Sequence, residues 1–288
     1  MSIHRIALAA VAAGAAALVA EPALAQAPVG QAPIGQAPIG IDTSEVAIAN
    51  NADLIIELGL GGRVRPRYLG SDEYIVTPFP VISVDYLSIP GLFTVGGSDR
   101  VGGLTFGPSF GLVGSRDAGD DSDLTGTRDL DETYELGLRV GYEYALDPVY
   151  GVEVYGALRG AFGEARGVTG DLGVDAIARP TEILELKFGP RASFASSDYV
   201  STYFSVSPAE SAASGGRLDA FEADGGFTSV GLETSMRYEF RPNWFARAEA
   251  SYDRLVGDAA DSPIAEVGSR DQFTVGLGLS RRFSFDIF

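Results

Sequence analysis

Residues 134–146 read YELGLRVGYEYAL, and this order decides the fold. Tyr134, Leu136, Leu138, Val140, Tyr142, Tyr144 and Leu146 share one parity, and Glu135, Gly137, Arg139, Gly141 and Glu143 share the other. A period of two held over thirteen residues is an extended strand, because a helix returns to one face only every 3.6 residues. The apolar parity carries aromatics towards its ends and aliphatics between them, while charges of both signs occupy the other. Strands of soluble sandwiches also alternate, but they are shorter and turn their polar face outward.

The same design recurs downstream. Leu184, Leu186, Phe188, Ala192 and Phe194 alternate with Glu185, Lys187, Arg191 and Ser193. Val230, Leu232, Met236, Tyr238 and Phe240 alternate with Glu233, Ser235, Arg237 and Glu239. Trp244, Ala246, Ala248, Ala250 and Tyr252 alternate with Arg247, Glu249, Ser251 and Asp253. Long strands of this kind suit a transmembrane β-barrel, whose sheet must close because hydrocarbon satisfies no backbone donor. The pattern predicts an all-β, antiparallel up-and-down barrel with strands near 52–68, 72–87, 92–115, 132–146, 149–163, 168–179, 183–196, 226–240, 244–256 and 271–287. The span 92–115 breaks near Ser98-Asp99-Arg100 and reads as one bent strand, giving ten strands, with twelve as the alternative. Asp147-Pro148, Arg179-Pro180 and Arg241-Pro242-Asn243 read as tight periplasmic turns, opposite longer polar loops at 115–132, 163–170, 197–225 and 254–270. In the closing strand Phe273, Val275, Leu277, Leu279, Phe283, Phe285 and Ile287 form a lipid face, interrupted by Arg281. This register predicts that arginine is costly at Leu138 or Leu232 and milder at Gly141 or Ser235.

The remaining sequence restricts the chemistry. The chain has 288 residues, a net charge of −18, no cysteine, and Lys187 as its only lysine. Arg5, the apolar run Ile6–Ala20 and Ala23-Leu24-Ala25 have the layout of a signal peptide over 1–25, cleaved before Gln26. Three copies of a QAPxG pentapeptide then make 26–50 a Pro/Gly-rich periplasmic tail, with the barrel over 51–288. His4 is the only histidine and leaves with the signal peptide, so Ser-His and Cys-His nucleophiles and ordinary zinc sites are excluded. The acidic balance excludes nucleic acid as a partner. Carboxylate pairs alone do not define a glycosidase cleft, and no enzyme is expected.

Several stretches resemble the MltA-interacting protein (MipA/OmpV) family of outer-membrane proteins: YLGSDEY at 68–74 with Pro80 and Tyr86, YFSVSPAESAASG at 203–215, RLVGDAADSPI at 254–264, and the closing strand. The resemblance implies a barrel in the outer membrane of a Gram-negative bacterium, in contact with membrane lipid and lipopolysaccharide. It also implies, as partners, a murein transglycosylase and a penicillin-binding protein, joined by a scaffold. Other members are described as adhesins or general outer-membrane proteins.

Three constellations are candidates for sites. The loop DSDLTGTRDLDE sets Asp121, Asp123, Thr125, Asp129 and Glu132 in part of a calcium-loop spacing, a weak metal candidate for loosely bound Ca2+ or Mg2+. Against it, Arg128 takes a position usually apolar, and strands flank the loop in place of helices. The charges Arg139, Glu143, Glu153, Arg159, Arg191, Glu233, Arg237, Arg247 and Glu249 point into the lumen, where they either line a solute path or pair to brace the barrel. The segment 203–224 is predicted to fold over the mouth, with Tyr203, Phe204, Leu218 and Phe221 packing as a lid. Together these point to a non-enzymatic barrel with a structural or scaffolding role in murein machinery. The alternatives are a narrow channel for small solutes and a surface adhesin.

Overall fold

The computed structural model describes residues 52–96, 102–119 and 122–287. The chain divides into two units, 1–38 and 39–288, and the first of these, with the signal-peptide and QAP segments, lies outside the described residues. The second unit is built on one antiparallel sheet. Its strands are β1 (Leu54–Pro66), β2 (Tyr74–Ile89), β3 (Phe93–Gly96), β4 (Gly102–Val113), β5 (Thr133–Ala145), β6 (Tyr150–Gly163), β7 (Gly167–Thr181), β8 (Leu184–Ala195), β9 (Gly226–Arg241), β10 (Trp244–Leu255) and β11 (Asp271–Phe285). The sheet order is β3-β2-β1-β11-β10-β9-β8-β7-β6-β5-β4, so the first and last strands of the chain pair to curl it into a barrel. β3 and β4 flank residues 97–101, which contain the expected break at 98–100 and lie outside the described residues. Counted as one bent strand, they give the ten expected.

The outer face matches the apolar parity. Leu60, Leu138 and Leu277 are each about two-thirds exposed, at 65%, 64% and 64%. Uncovered leucines repeated on strand after strand form a surface that only lipid matches. In β11 the apolar row continues to Ile287, and Arg281 stacks at 5.4 Å over the Trp244 ring and 5.3 Å over the Phe283 ring. Its charge therefore lies against aromatic faces at the barrel's turn end.

Turn chemistry explains the short connections. The Asp147 carboxylate accepts the Val149 and Tyr150 N–H groups at 2.7 and 2.8 Å, a local side-chain turn. One expectation is corrected here: 163–170 is not a long loop. Gly163 and Gly167 adopt φ of 109° and 120°, conformations that L side chains resist, and they close β6 onto β7 through residues 164–166 alone.

The other long connections fold. Residues 197–225 carry α1 (Ser197–Phe204) and α2 (Pro208–Ala213), and 256–270 carry α3 (Gly257–Asp261) and α4 (Pro263–Val267). Ser207 starts α2 with a capping box: it accepts the Glu210 N–H, and Glu210 accepts the Ser207 N–H at 2.8 Å. The main apolar core is in this cap. Tyr199, Val200, Tyr203, Phe204, Leu255, Ala259 and Ala265 form one cluster, and Tyr68, Leu124, Val206, Leu218 and Ile264 form a second.

Candidate functional site: a capped, charge-filled lumen

The cap joins three segments far apart in sequence, and they are three of the stretches that carry the family resemblance. From 68–74, Tyr68 is buried and Gly70 turns at φ 90°, a conformation that lets its carbonyl accept the Ser269 N–H at 2.7 Å. From 203–215, Tyr203 and Phe204 are almost wholly buried. From 254–264, the Ser262 hydroxyl donates to the Phe204 carbonyl at 2.6 Å, and Ile264 packs into the second cluster. Leu218 is buried, and Phe221 packs half-buried against the first cluster and bridges to Val206.

Two arginines hold the C-terminal end of α1, where carbonyls lack helical partners and the dipole favours a cation. Buried Arg116 donates to the Tyr203 carbonyl at 2.9 Å. Arg128 donates to the Ser201 and Thr202 carbonyls at 3.2 and 2.9 Å, and its backbone N–H donates to the Glu210 carboxylate at 2.9 Å. Arg128, the residue out of place in a calcium loop, is thus an anchor for the cap. Of the weak metal candidates, Asp129 accepts the Ala118 N–H at 2.9 Å and Glu132 accepts the Tyr134 hydroxyl at 2.5 Å. Asp121 lies outside the described residues. Among the described residues, no group of three or more His, Cys, Asp or Glu side chains converges as a metal set.

Tyr199 connects cap to lumen. Its hydroxyl donates to Glu135 at 2.6 Å, and the other Glu135 oxygen accepts from Thr169 and Arg159, both at 2.8 Å. Burial, and then the Glu135 charge, push this hydroxyl well above its ordinary pKa, while burial pushes Tyr203 up to about 12. Both remain protonated at any physiological pH, so Tyr199 is a permanent donor.

Below the cap the inward charges pair. Arg139 grips Glu153 with two bonds, at 2.9 and 3.1 Å, and Lys187 reaches the same carboxylate at 3.0 Å. Glu143 accepts from Arg179 at 2.6 Å, and Arg159 donates to Asp171 at 2.7 Å as well as to Glu135. Arg191 pairs with Glu233 and Asp253. Arg237 and Arg247 share Glu57, at 2.8 and 2.6 Å, and Glu249 takes Arg63 at 2.6 Å. Glu143 and Glu153 face each other directly across β5 and β6, a repulsive placement that their separate cations offset. Every charge anticipated in the lumen is engaged, but only Arg139–Glu153 and Arg191–Glu233 pair within that set. The partners outside that set (Glu57, Arg63, Glu135, Asp171, Arg179, Lys187 and Asp253) share the polar parity, which is the available signal.

Gly141 differs from expectation. A Cβ there would lie 2.7 Å from both a Glu153 carboxylate oxygen and the Thr105 hydroxyl, so the position is crowded and arginine is not mild. Beneath the cap remains a cavity of about 1330 Å³, lined by Arg63, Arg139, Glu153, Tyr155 and Arg247 among others and reaching the turn-end residues Pro148 and Ile183.

Outer membrane protein Omp26La of Vibrio anguillarum is 35% identical over 91 residues, which cover 32% of this chain and 33% of that protein. The match therefore spans about a third of that relative's length. Among solved structures, an outer membrane channel from Pseudomonas putida F1 aligns over 89% of this chain and all of its own, with 11% identity and a TM-score of 0.40. The outer membrane protease OmpT of Escherichia coli aligns over 81% of this chain and 97% of its own, with 13% identity and a TM-score of 0.33. At these scores neither likeness speaks to function. The sequence profile described as MltA-interacting protein MipA matches residues 58–283, and the chain belongs to that family of outer-membrane proteins.

Proposed function

We propose that this barrel is a non-enzymatic scaffold that holds murein machinery at the outer membrane and contacts it at the short-turn end. The observation that carries the reading is the sealed long-loop end, where Tyr203, Phe204, Leu218 and Ile264 are each at most 1% exposed. A lumen braced by paired charges and stoppered by an apolar core suits a rigid anchor better than a conduit. The short turns face the periplasm in the outer-membrane arrangement, as do both chain ends of an even-stranded barrel. The family is that of the MltA-interacting protein, and a lytic transglycosylase is accordingly the partner to test.

One observation favours a second reading, a narrow solute channel: the 1330 Å³ cavity that reaches the turn end. Reconstitution in planar bilayers separates the two. The scaffold reading expects a silent membrane from the intact protein and recovery of the transglycosylase on immobilised barrel. Steady single-channel openings, altered by charge reversal at Arg139 or Arg237, would replace it with the channel reading.

A further inference from the structure

Arg65 stands apart from the paired charges. It lies on the inward parity of β1, opposite Ile75 of β2, and lines the cavity. Its Nε and one terminal nitrogen are buried without a hydrogen bond, and no ion pair reaches it among the described residues. Its neighbours are already committed. Arg63 is held by Glu249 at 2.6 Å, and Glu135 is held by Arg159, Thr169 and Tyr199. A guanidinium cannot shed its proton to escape such a place, so among the described residues the site lacks an anion of its own.

The wall beside Arg65 is unzipped. The sheet ends in β3 and β4, and β3 pairs only with Tyr86–Ile89 of β2; beyond it β2 borders β4, and among the described residues no ladder joins the two. The gap is framed on one side by Gly114, whose Cβ would lie 2.5 Å from the Arg67 carbonyl, and on the other by the β2–β3 ladder beginning at Tyr86↔Gly96. Pro78 and Pro80 on β2 and Pro108 on β4 lack the N–H groups a ladder needs, and strand prolines belong at edges. Pro78, Pro80, Ile82, Leu104 and Pro108, all on the outer parity, line the same cavity as Arg65. An apolar slot in the wall thus leads to an unpaired cation.

We propose that the β2–β4 seam is a lateral portal, and that Arg65 binds the head of a single-chain anionic amphiphile whose acyl chain lies along the proline-rimmed slot. A carboxylate or a phosphate head offers the paired oxygens that match a guanidinium fork. The chain accounts for the apolar rim, and the membrane supplies the ligand from the side.

The test uses the full-length barrel in detergent with four probes: hexadecanoate, hexadecyl phosphate, hexadecanol and acetate. At least one long-chain anion is expected to bind roughly tenfold or more tightly than hexadecanol and acetate, the scale of one charge-assisted contact. Which anion binds better identifies the head group. R65Q should abolish that preference and R65K should keep part of it, while R254Q, at an exposed ion pair with Asp271, should leave it intact. If R65Q does not fold, the four-probe comparison on the unaltered protein still decides. Equal binding of anion and alcohol, or a folded R65Q that binds as before, overturns the site. For the portal, cysteines replacing Pro78 and Leu104 in this cysteine-free chain are bridged by a cleavable bismaleimide. Bridging should block uptake from vesicles and cleavage should restore it; undiminished uptake through a bridged seam overturns the lateral route.

Discussion

Glu57 offers the sharpest test of the lumen network. Its side chain is fully buried and accepts from Arg247 Nε at 2.6 Å, from Arg237 Nε at 2.9 Å and from the Ser280 hydroxyl. E57Q keeps the shape and removes the charge, leaving two guanidiniums facing each other; among the described residues Asp85, 3.5 Å from Arg237, is the one anion left within ion-pairing distance of either. Removing one member of a buried pair costs about 3–5 kcal/mol. The two arginine side chains keep 23% and 26% exposure to the wet lumen, so the lower end applies, ~3 kcal/mol. With a urea dependence of roughly 1–3 kcal/mol per molar, the midpoint should fall by about 1–3 M. Trp244, the single tryptophan, reports unfolding by fluorescence in detergent micelles. E57Q/R247Q removes one of the stranded cations and should recover part of the loss, a coupling of about 1–2 kcal/mol. A loss in E57Q below about 1 kcal/mol, or strictly additive effects in the double variant, would refute the view that the paired charges brace this barrel.

Three further outcomes are expected. L138R and L232R should each weaken assembly by about 2–4 kcal/mol in the heat-modifiability assay on gels, with S235R milder; equal responses from the two faces would show the register to be wrong. The cap should loosen in acid: burial raises the Glu210 pKa, but hydrogen bonds from Ser207 and Arg128 and the Arg128 charge outweigh it and hold the carboxyl low. A depressed native pKa contributes stability above the unfolded value, about 4.3, which is lost as pH falls through the native one. Hydrogen exchange at Ser207 and Arg128 should therefore accelerate in that acid window, and E210Q should show no such transition. Deleting residues 26–50 should leave the barrel folded yet reduce co-purification of a cell-wall partner, and unchanged recovery at matched expression would shift the contact to the turn rim.

The sequence by itself determined the strands and their two faces. Alternation is a local property: successive side chains on an extended backbone point oppositely, so Leu138 and Arg139 declare their sides without knowing any neighbour. Strand boundaries therefore fell within a few residues of those observed, and a chain mostly of long amphipathic strands had little choice but to curl round on itself, leaving the β2–β4 seam as the place where the described residues form no ladder. What the sequence did not contain is which charges meet. Glu57 finds Arg237 and Arg247, 180 and 190 positions away, because pairing of β1 with β11 sets β10 and β9 two and three strands from β1 along the same wall. The 163–170 turn reads as a loop in sequence because Glu164-Ala165-Arg166 look the same in a loop and in a hairpin until the backbone angles of Gly163 and Gly167 are known. The cap was legible only as a lid of four aromatic and aliphatic residues. Its helices span eight residues or fewer, too short to hold themselves in water, and exist because segments from 68–74, 116–130, 197–225 and 256–267 bury one another. The same holds for Arg65 and the seam: a charge becomes unpaired, and a proline becomes an edge, only once the tertiary structure has decided what stands beside it.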